Sequence, residues 1–161
     1  MNYLSYMQSI DPNTLFSIFE KGDEEIYKEH GVGDVLNNPF VLMGTILNGM
    51  ENYHLMDILY SRKYKDNYMA VRSKVKYKYF IRMYNYLCRL DSKKFDEKYK
   101  ITKSFEFDAV LSALTTLLKF FEQIEHYEKC GVIKNYIDLL VDRVFEYEKP
   151  FGYSWKPTAS A

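Results

Sequence analysis

DNYMAVRSKVKYKYFIRMYNYLCRL, residues 66–90, decides how this chain is read. It contains no Gly and no Pro, and it is crowded with Lys, Arg and Tyr. At 100° per residue, Met69, Phe80, Met83, Tyr84, Leu87 and Leu90 share one face, with Tyr77, Tyr79 and Tyr86 on its shoulders. Lys74, Lys78, Arg82 and Arg89 form a stripe on the opposite face. Arg72 and Lys76 fall at the margin of the apolar side. Their stems are expected to lie along the core edge while their charges reach out, toward the acidic N-terminal part of the chain. Within the stretch, KVKYKYF alternates Lys with Val and Tyr, which is a strand-like pattern. The flanking residues keep helical phase and no turn signal bounds the run, so a helix is expected.

Upstream, Asn38–Pro39 is a helix start: a side-chain oxygen to cap, then a residue whose missing N–H is not needed. Phe40, Leu42, Met43, Ile46 and Leu47 follow as an apolar helix that should break near Gly49. A further helix is expected over 51–64, with Leu55, Ile58 and Leu59 inward. Asp11–Pro12 repeats the start signal before Leu15, Phe16 and Phe19. Gly22 should stop that helix, an acidic turn should run to Gly31, and 31–38 reads as a loop.

Downstream, residues 93–103 read as a polar connector. Ser104 should cap the most apolar helix, running to Lys129 with Gly131 as its C-cap. Val110, Leu111, Leu114, Leu117, Leu118 and Phe121 wrap so much of it that it belongs at the centre of a bundle. The last helix, 132–148, carries Ile133, Tyr136, Ile137 and Leu140 at i, i+3, i+4, i+7. Pro150 ends it, and the tail places Phe151, Tyr153 and the single Trp155 two residues apart. These aromatics either anchor into a partner or fold back onto the protein's own bundle. The expected architecture is all-α: one compact helical bundle of about five or six helices over 1–150, with an aromatic tail over 151–161.

At 161 residues, with 47% hydrophobic and 27% charged residues, the chain has a globular rather than a disordered composition. Sixteen Tyr and eleven Phe are many for this length. An AT-rich coding genome produces that bias, and half-buried contact surfaces use it. Zero net charge hides a segregation. Residues 1–61 hold nine acids and two bases, 62–103 fourteen bases and four acids, 104–161 nine acids and six bases. A basic centre between acidic flanks can fold on itself, face a partner or pair with a second copy.

Chemistry is sparse. Cys88 and Cys130 have no metal or redox spacing and read as reduced, packed thiols of a cytoplasmic protein. No signal peptide is expected from MNYLSYMQSIDP, and no uncharged run approaches the ~20 residues of a membrane span. No G-x-S-x-G and no phosphate-binding Gly loop occurs. Glu51 and His54 make one E-x-x-H, but Glu122, Glu125 and His126 do not supply the second pair that a di-iron bundle needs. A metal-dependent bundle enzyme is therefore a remote reading, and no cofactor or metal is expected.

The reading that follows is a non-enzymatic interaction protein: an adaptor, inhibitor or assembly factor, in the style of a small viral or mobile-element protein. It would bind an acidic protein partner through Lys74, Lys78, Arg82 and Arg89. The alternative is nucleic acid, with the same cations on phosphates and Tyr faces on bases. Against it stand a pI of 6.8 and no helix-turn-helix signature.

Overall fold

The computed structural model describes residues 38–91 and 104–147, and these are helical throughout apart from short connections. Three helices are seen: α1 (Pro39–Arg89), α2 (Phe107–Gln123) and α3 (Tyr127–Tyr147). No strand occurs among the described residues, so the chain is all-α there. The helices expected over 12–31, the connector 93–103 and the aromatic tail lie outside the described residues.

Asn38 and Pro39 open α1 as their chemistry requires. The Asn38 side-chain oxygen accepts from the backbone N–H of Phe40 at 2.9 Å and of Val41 at 3.4 Å, and Pro39 occupies the first helical turn. The helix then runs through Gly49 without a break. Gly49 is buried and is used for close approach: a Cβ there would collide with Met83 Sδ from the returning limb.

The break comes at Lys65, whose φ of 44° and ψ of −121° are not helical. Here the chain reverses. Tyr53 meets Tyr79 and Phe80 with ring centroids 5.2 Å apart. Asp57 meets Tyr68 and Arg72, and Gly49 faces Met83. Partners that diverge this evenly in sequence define an antiparallel hairpin of two limbs, 39–64 and 66–89. The limb boundary matches the one expected from sequence, although no Gly or Pro marks it.

One core joins the hairpin to α2 and α3. It comprises Leu42, Met43 and Ile46 from the first limb, Phe80, Met83, Tyr86 and Leu87 from the second, Val110, Leu114, Leu117, Phe120 and Phe121 from α2, and Ile133, Tyr136 and Leu140 from α3. Gly44 faces the Phe105 ring just before α2, and Tyr53, His54 and Asp57 share a cleft with Phe120, Gln123 and Ile124 at its far end, so the first limb runs parallel to α2. A three-residue link between α2 and α3 makes those two antiparallel neighbours. The described residues thus form an up-down-up-down arrangement of four helical limbs.

The α2–α3 link corrects the single helix expected from Ser104 to Lys129. Glu125 takes φ 59°, the left-handed conformation. His126 N–H donates to Phe121 O at 2.9 Å and Glu125 N–H to Glu122 O at 3.1 Å, which is the paired bonding of a Schellman cap. The His126 ring stacks on Phe121 at 6.0 Å, supplying the cap's side-chain contact. Glu stands where Gly is usual, so the sequence carries no stop signal. Gly131 lies inside α3, not at a helix end. Ser104 does not cap α2 either; Glu106 precedes its first residue and makes no side-chain capping bond.

Three further expectations are overturned. Leu55, Ile58 and Leu59 point outward, at 54%, 36% and 61% exposure; Tyr53, Met56 and Asp57 take the inner register. Met69 is 52% exposed, and Tyr68, Val71 and Val75 are buried in its stead. Cys88 is exposed rather than packed, and both cysteines are free.

Candidate functional site

Length sets the shape of the hairpin arm. Its limbs of 26 and 24 residues run about 39 and 36 Å, whereas the 17 residues of α2 run about 25 Å. The end of α2 reaches the level of Tyr53, Asp57 and Lys76, where Phe120, Gln123 and the following Ile124 share a cleft with them. Residues 58–75 of the hairpin continue beyond that level.

A second, smaller cluster holds this projecting part together. Tyr68, Val71 and Val75 are buried against Met56, Tyr60 and Tyr64. The Tyr60 ring meets those of Tyr64 and Tyr68 edge-on, at 5.3 and 5.7 Å. Between the two clusters lies an ion pair: Arg72 Nη2 sits 2.5 Å from Asp57 Oδ2, its Nε donates to Oδ1 at 2.8 Å, and the Tyr68 hydroxyl donates to the same Oδ1 at 2.9 Å. The Arg72 hydrogen bonds hold the Asp57 carboxyl below its ordinary range, outweighing burial, which acts the other way. Burial pushes the neighbouring Tyr53 hydroxyl up to about 12, and Asp57 adds to that. Arg72 is therefore the intramolecular partner of the acidic N-terminal part that its phase suggested.

The cleft above this pair has a volume of about 520 Å³. Lys76 stands at its wall, with Nζ 5.7 Å from the Phe80 ring centroid and 5.5 Å from that of Phe120. Its stem lies on the core edge as expected, and its charge is held over two aromatic faces. None of Tyr53, Asp57, Tyr68 or Phe120 was singled out from the sequence. The available signal was a Tyr, an Asp and an Arg at positions that face each other only once the chain has reversed at Lys65.

The stripe of four cations sits on the second limb. Lys74 and Arg89 are exposed; Lys78 and Arg82 are half-buried. Tyr77, 40% exposed, stands beside Lys74 and Lys78 at a shallow depression of about 300 Å³. From residue 62 to 89 the arm carries nine bases and one acid. The exposed Leu55, Ile58, Leu59 and Met69 lie on this same arm. Phe151, Tyr153 and Trp155 fall outside the described residues.

The E-x-x-H pair and its would-be partners are not assembled into a centre. Glu51 and His54 line a groove against α2, and His54 also borders the Asp57 cleft, while His126 packs on Phe121 and Tyr77. Among the described residues no group of three or more His, Cys, Asp or Glu is placed to hold a metal ion. Among them, too, no helix is long and apolar enough to cross a membrane. Burial raises the Cys130 thiol. Tyr84 is pushed up to about 12 by burial and by its hydrogen bond with Cys88. Comparison of the chain with protein-family models, with curated proteins and with solved structures gives no match.

Proposed function

We propose that the protein is a non-enzymatic interaction protein of the cytoplasm, an adaptor, inhibitor or assembly factor, and that its projecting hairpin binds an acidic protein partner. One observation carries the reading: four large apolar residues, Leu55, Ile58, Leu59 and Met69, are exposed on the same hairpin whose residues 62–89 hold nine bases against one acid. Apolar side chains with Arg and Tyr beside them have the composition of a protein-contact surface. The cations steer an acidic partner and set its register, with Lys74, Lys78, Arg82 and Arg89 as the contact row.

Nucleic acid is the second reading, favoured by Tyr77, which stands exposed between Lys74 and Lys78 as a stacking face between phosphate contacts. A titration separates the two. The full chain is mixed with labelled acidic amphipathic helical peptide, single-stranded DNA, single-stranded RNA and duplex DNA at rising salt. The proposal expects peptide binding that survives moderate salt through its apolar part. Binding confined to nucleic acid, and lost steeply with salt, would replace it.

A further inference from the structure

The cleft above the Asp57–Arg72 pair, about 520 Å³, has the size of a site for one small organic molecule. Its lining is of two kinds. Tyr53, Tyr77, Phe120 and Ile124 supply apolar surface, and Arg72, Ser73 and Lys76 supply donors from one stretch of the second limb. Arg72 and Lys76 stand four residues apart on that helix and so lie one above the other, with Ser73 next to Arg72.

The charges of the cleft do not balance. Asp57 is its one acid, and Arg72 and Tyr68 already hold it. Lys76 Nζ lies 5.7 and 5.5 Å from the Phe80 and Phe120 ring centroids, and no carboxylate of the described residues is within ion-pair distance of it. One positive charge is left over. An ammonium held against rings is partly desolvated, which strengthens its attraction for an anion entering the cleft.

The donor set selects among anions. A planar carboxylate is best served by the paired nitrogens of one arginine edge, and Asp57 already takes Nε and Nη2 of Arg72. Arg72 Nη1, the Ser73 hydroxyl and Lys76 Nζ remain, on three side chains. A tetrahedral phosphate monoester, with three terminal oxygens and a charge of about −1.5 to −2 at neutral pH, can take a bond from each. The Phe120 and Tyr77 rings offer faces for a planar ring attached to it. His54 and Gln123, both exposed at the cleft, offer polar groups for the edge of that ring.

We propose that this cleft binds a small aromatic phosphate monoester, with the phosphate at Arg72, Ser73 and Lys76 and the ring against Phe120 and Tyr77. A nucleoside monophosphate is one such molecule, free or as the 5′ end of a strand. The cleft shares Tyr77 with the cation row but none of Lys74, Lys78, Arg82 and Arg89, so the inference does not depend on the partner reading.

The test is calorimetric titration of the full chain with adenosine 5′-monophosphate, phenyl phosphate, adenosine and ribose 5-phosphate. Wild type should bind the two aromatic phosphates, and adenosine and ribose 5-phosphate more weakly. Lys76→Met, which keeps the apolar stem, should lose about tenfold or more, the factor that goes with one charge-assisted hydrogen bond. Gln123→Trp, at an exposed position, should block binding by filling the cleft while leaving every cation in place; it decides the matter if Lys76→Met does not fold by circular dichroism. Lys74→Met, outside the cleft, should bind as wild type does. Absence of binding to both aromatic phosphates overturns the proposal, as does equal binding of adenosine or of ribose 5-phosphate. Unchanged binding in Gln123→Trp overturns it too, and so does a loss in Lys74→Met equal to that in Lys76→Met, which would give the phosphate to the cation row. Displacement of adenosine 5′-monophosphate by a 5′-phosphorylated oligoadenylate but not by the unphosphorylated strand supports a strand end as the source. Displacement by neither supports the free nucleotide, and equal displacement by both overturns the monoester seat.

Discussion

Asp57 is bound across the hairpin by Arg72, through two hydrogen bonds at 2.5 and 2.8 Å, and the Tyr68 hydroxyl completes its coordination at 2.9 Å. Fifteen residues separate the two charges in sequence, so the pair is available only to the reversed chain. Arg72→Met should cost about 1–2 kcal/mol, the range for hydrogen bonds to a charged group, reduced by the exposure of the Arg72 end. Asp57→Asn should cost a similar amount. The pH dependence has a definite sign. Asp57 is held below its ordinary value, so its contribution is fully present above the unfolded value of about 3.9. It is lost as pH falls through the folded value. Urea unfolding at a series of pH values from 7 down to 2.5 should show a shallower acid loss in Asp57→Asn than in wild type.

Lys65 turns the hairpin in a conformation that suits Gly, with φ at 44°. Strain of this kind costs on the order of 1–3 kcal/mol for a residue with a Cβ. Lys65→Gly should therefore stabilise the protein by about 1 kcal/mol, after allowing for the greater freedom of Gly in the unfolded chain. Glu125→Gly should do the same at the α2 cap, by a few tenths to about 1 kcal/mol. Thermal unfolding of the two single variants and the double variant checks both. The sites are far apart in the fold, so the gains should add.

Gly49 and Met83 test the packing of the two limbs. An exposed helical Gly gains about 1 kcal/mol on change to Ala. Here the new methyl meets the Met83 thioether inside a closed core, and overpacking costs about 1–3 kcal/mol. Gly49→Ala should be net destabilising by on the order of 1 kcal/mol. In a Met83→Ala background the same change should become neutral or stabilising. A double-mutant cycle measured by denaturant unfolding reads that reversal directly.

Much of the architecture was legible in the sequence because period and capping were clear. Asn38–Pro39 starts a helix, residues 66–89 hold helical phase despite the alternation in KVKYKYF, and Val110, Leu114, Leu117 and Phe121 are buried as their spacing implies. What was not legible depends on residues used against their type. Lys65 and Glu125 adopt positive φ where Gly would announce a turn, whereas Gly49 and Gly131 sit within helices. The first limb has two competing apolar registers. Leu55, Ile58 and Leu59 look like the core row, but Tyr53, Met56 and Tyr60 offer more area, and Asp57 joins them because Arg72 neutralises it. The cation row Lys74, Lys78, Arg82 and Arg89 was read from spacing alone. The polar network beside it was not, since it exists only across the reversed limbs.

Tyr136 ties α3 to the end of α1. Its buried hydroxyl donates to the Leu90 carbonyl, a group at the helix end that lacks an intrahelical donor. Burial raises the Tyr136 hydroxyl above its ordinary range, so the neutral donor form is favoured up to strongly basic pH. Tyr136→Phe should cost about 1–3 kcal/mol, because a buried carbonyl loses its partner. Hydrogen exchange should then show earlier opening around residues 86–90.

Binding of an acidic amphipathic helical peptide by wild type and by the Lys74→Glu, Lys78→Glu double variant, followed by fluorescence anisotropy at several salt concentrations, tests the central claim most directly. Lys74 is exposed and Lys78 half-buried, and neither belongs to the buried core, so circular dichroism and unfolding midpoint should remain near wild type. Wild type should bind, with an affinity that weakens but persists as salt rises. The double variant should lose at least tenfold in affinity. Equal binding by the two proteins, or unfolding of the variant, would contradict the assignment of the basic hairpin as the partner surface.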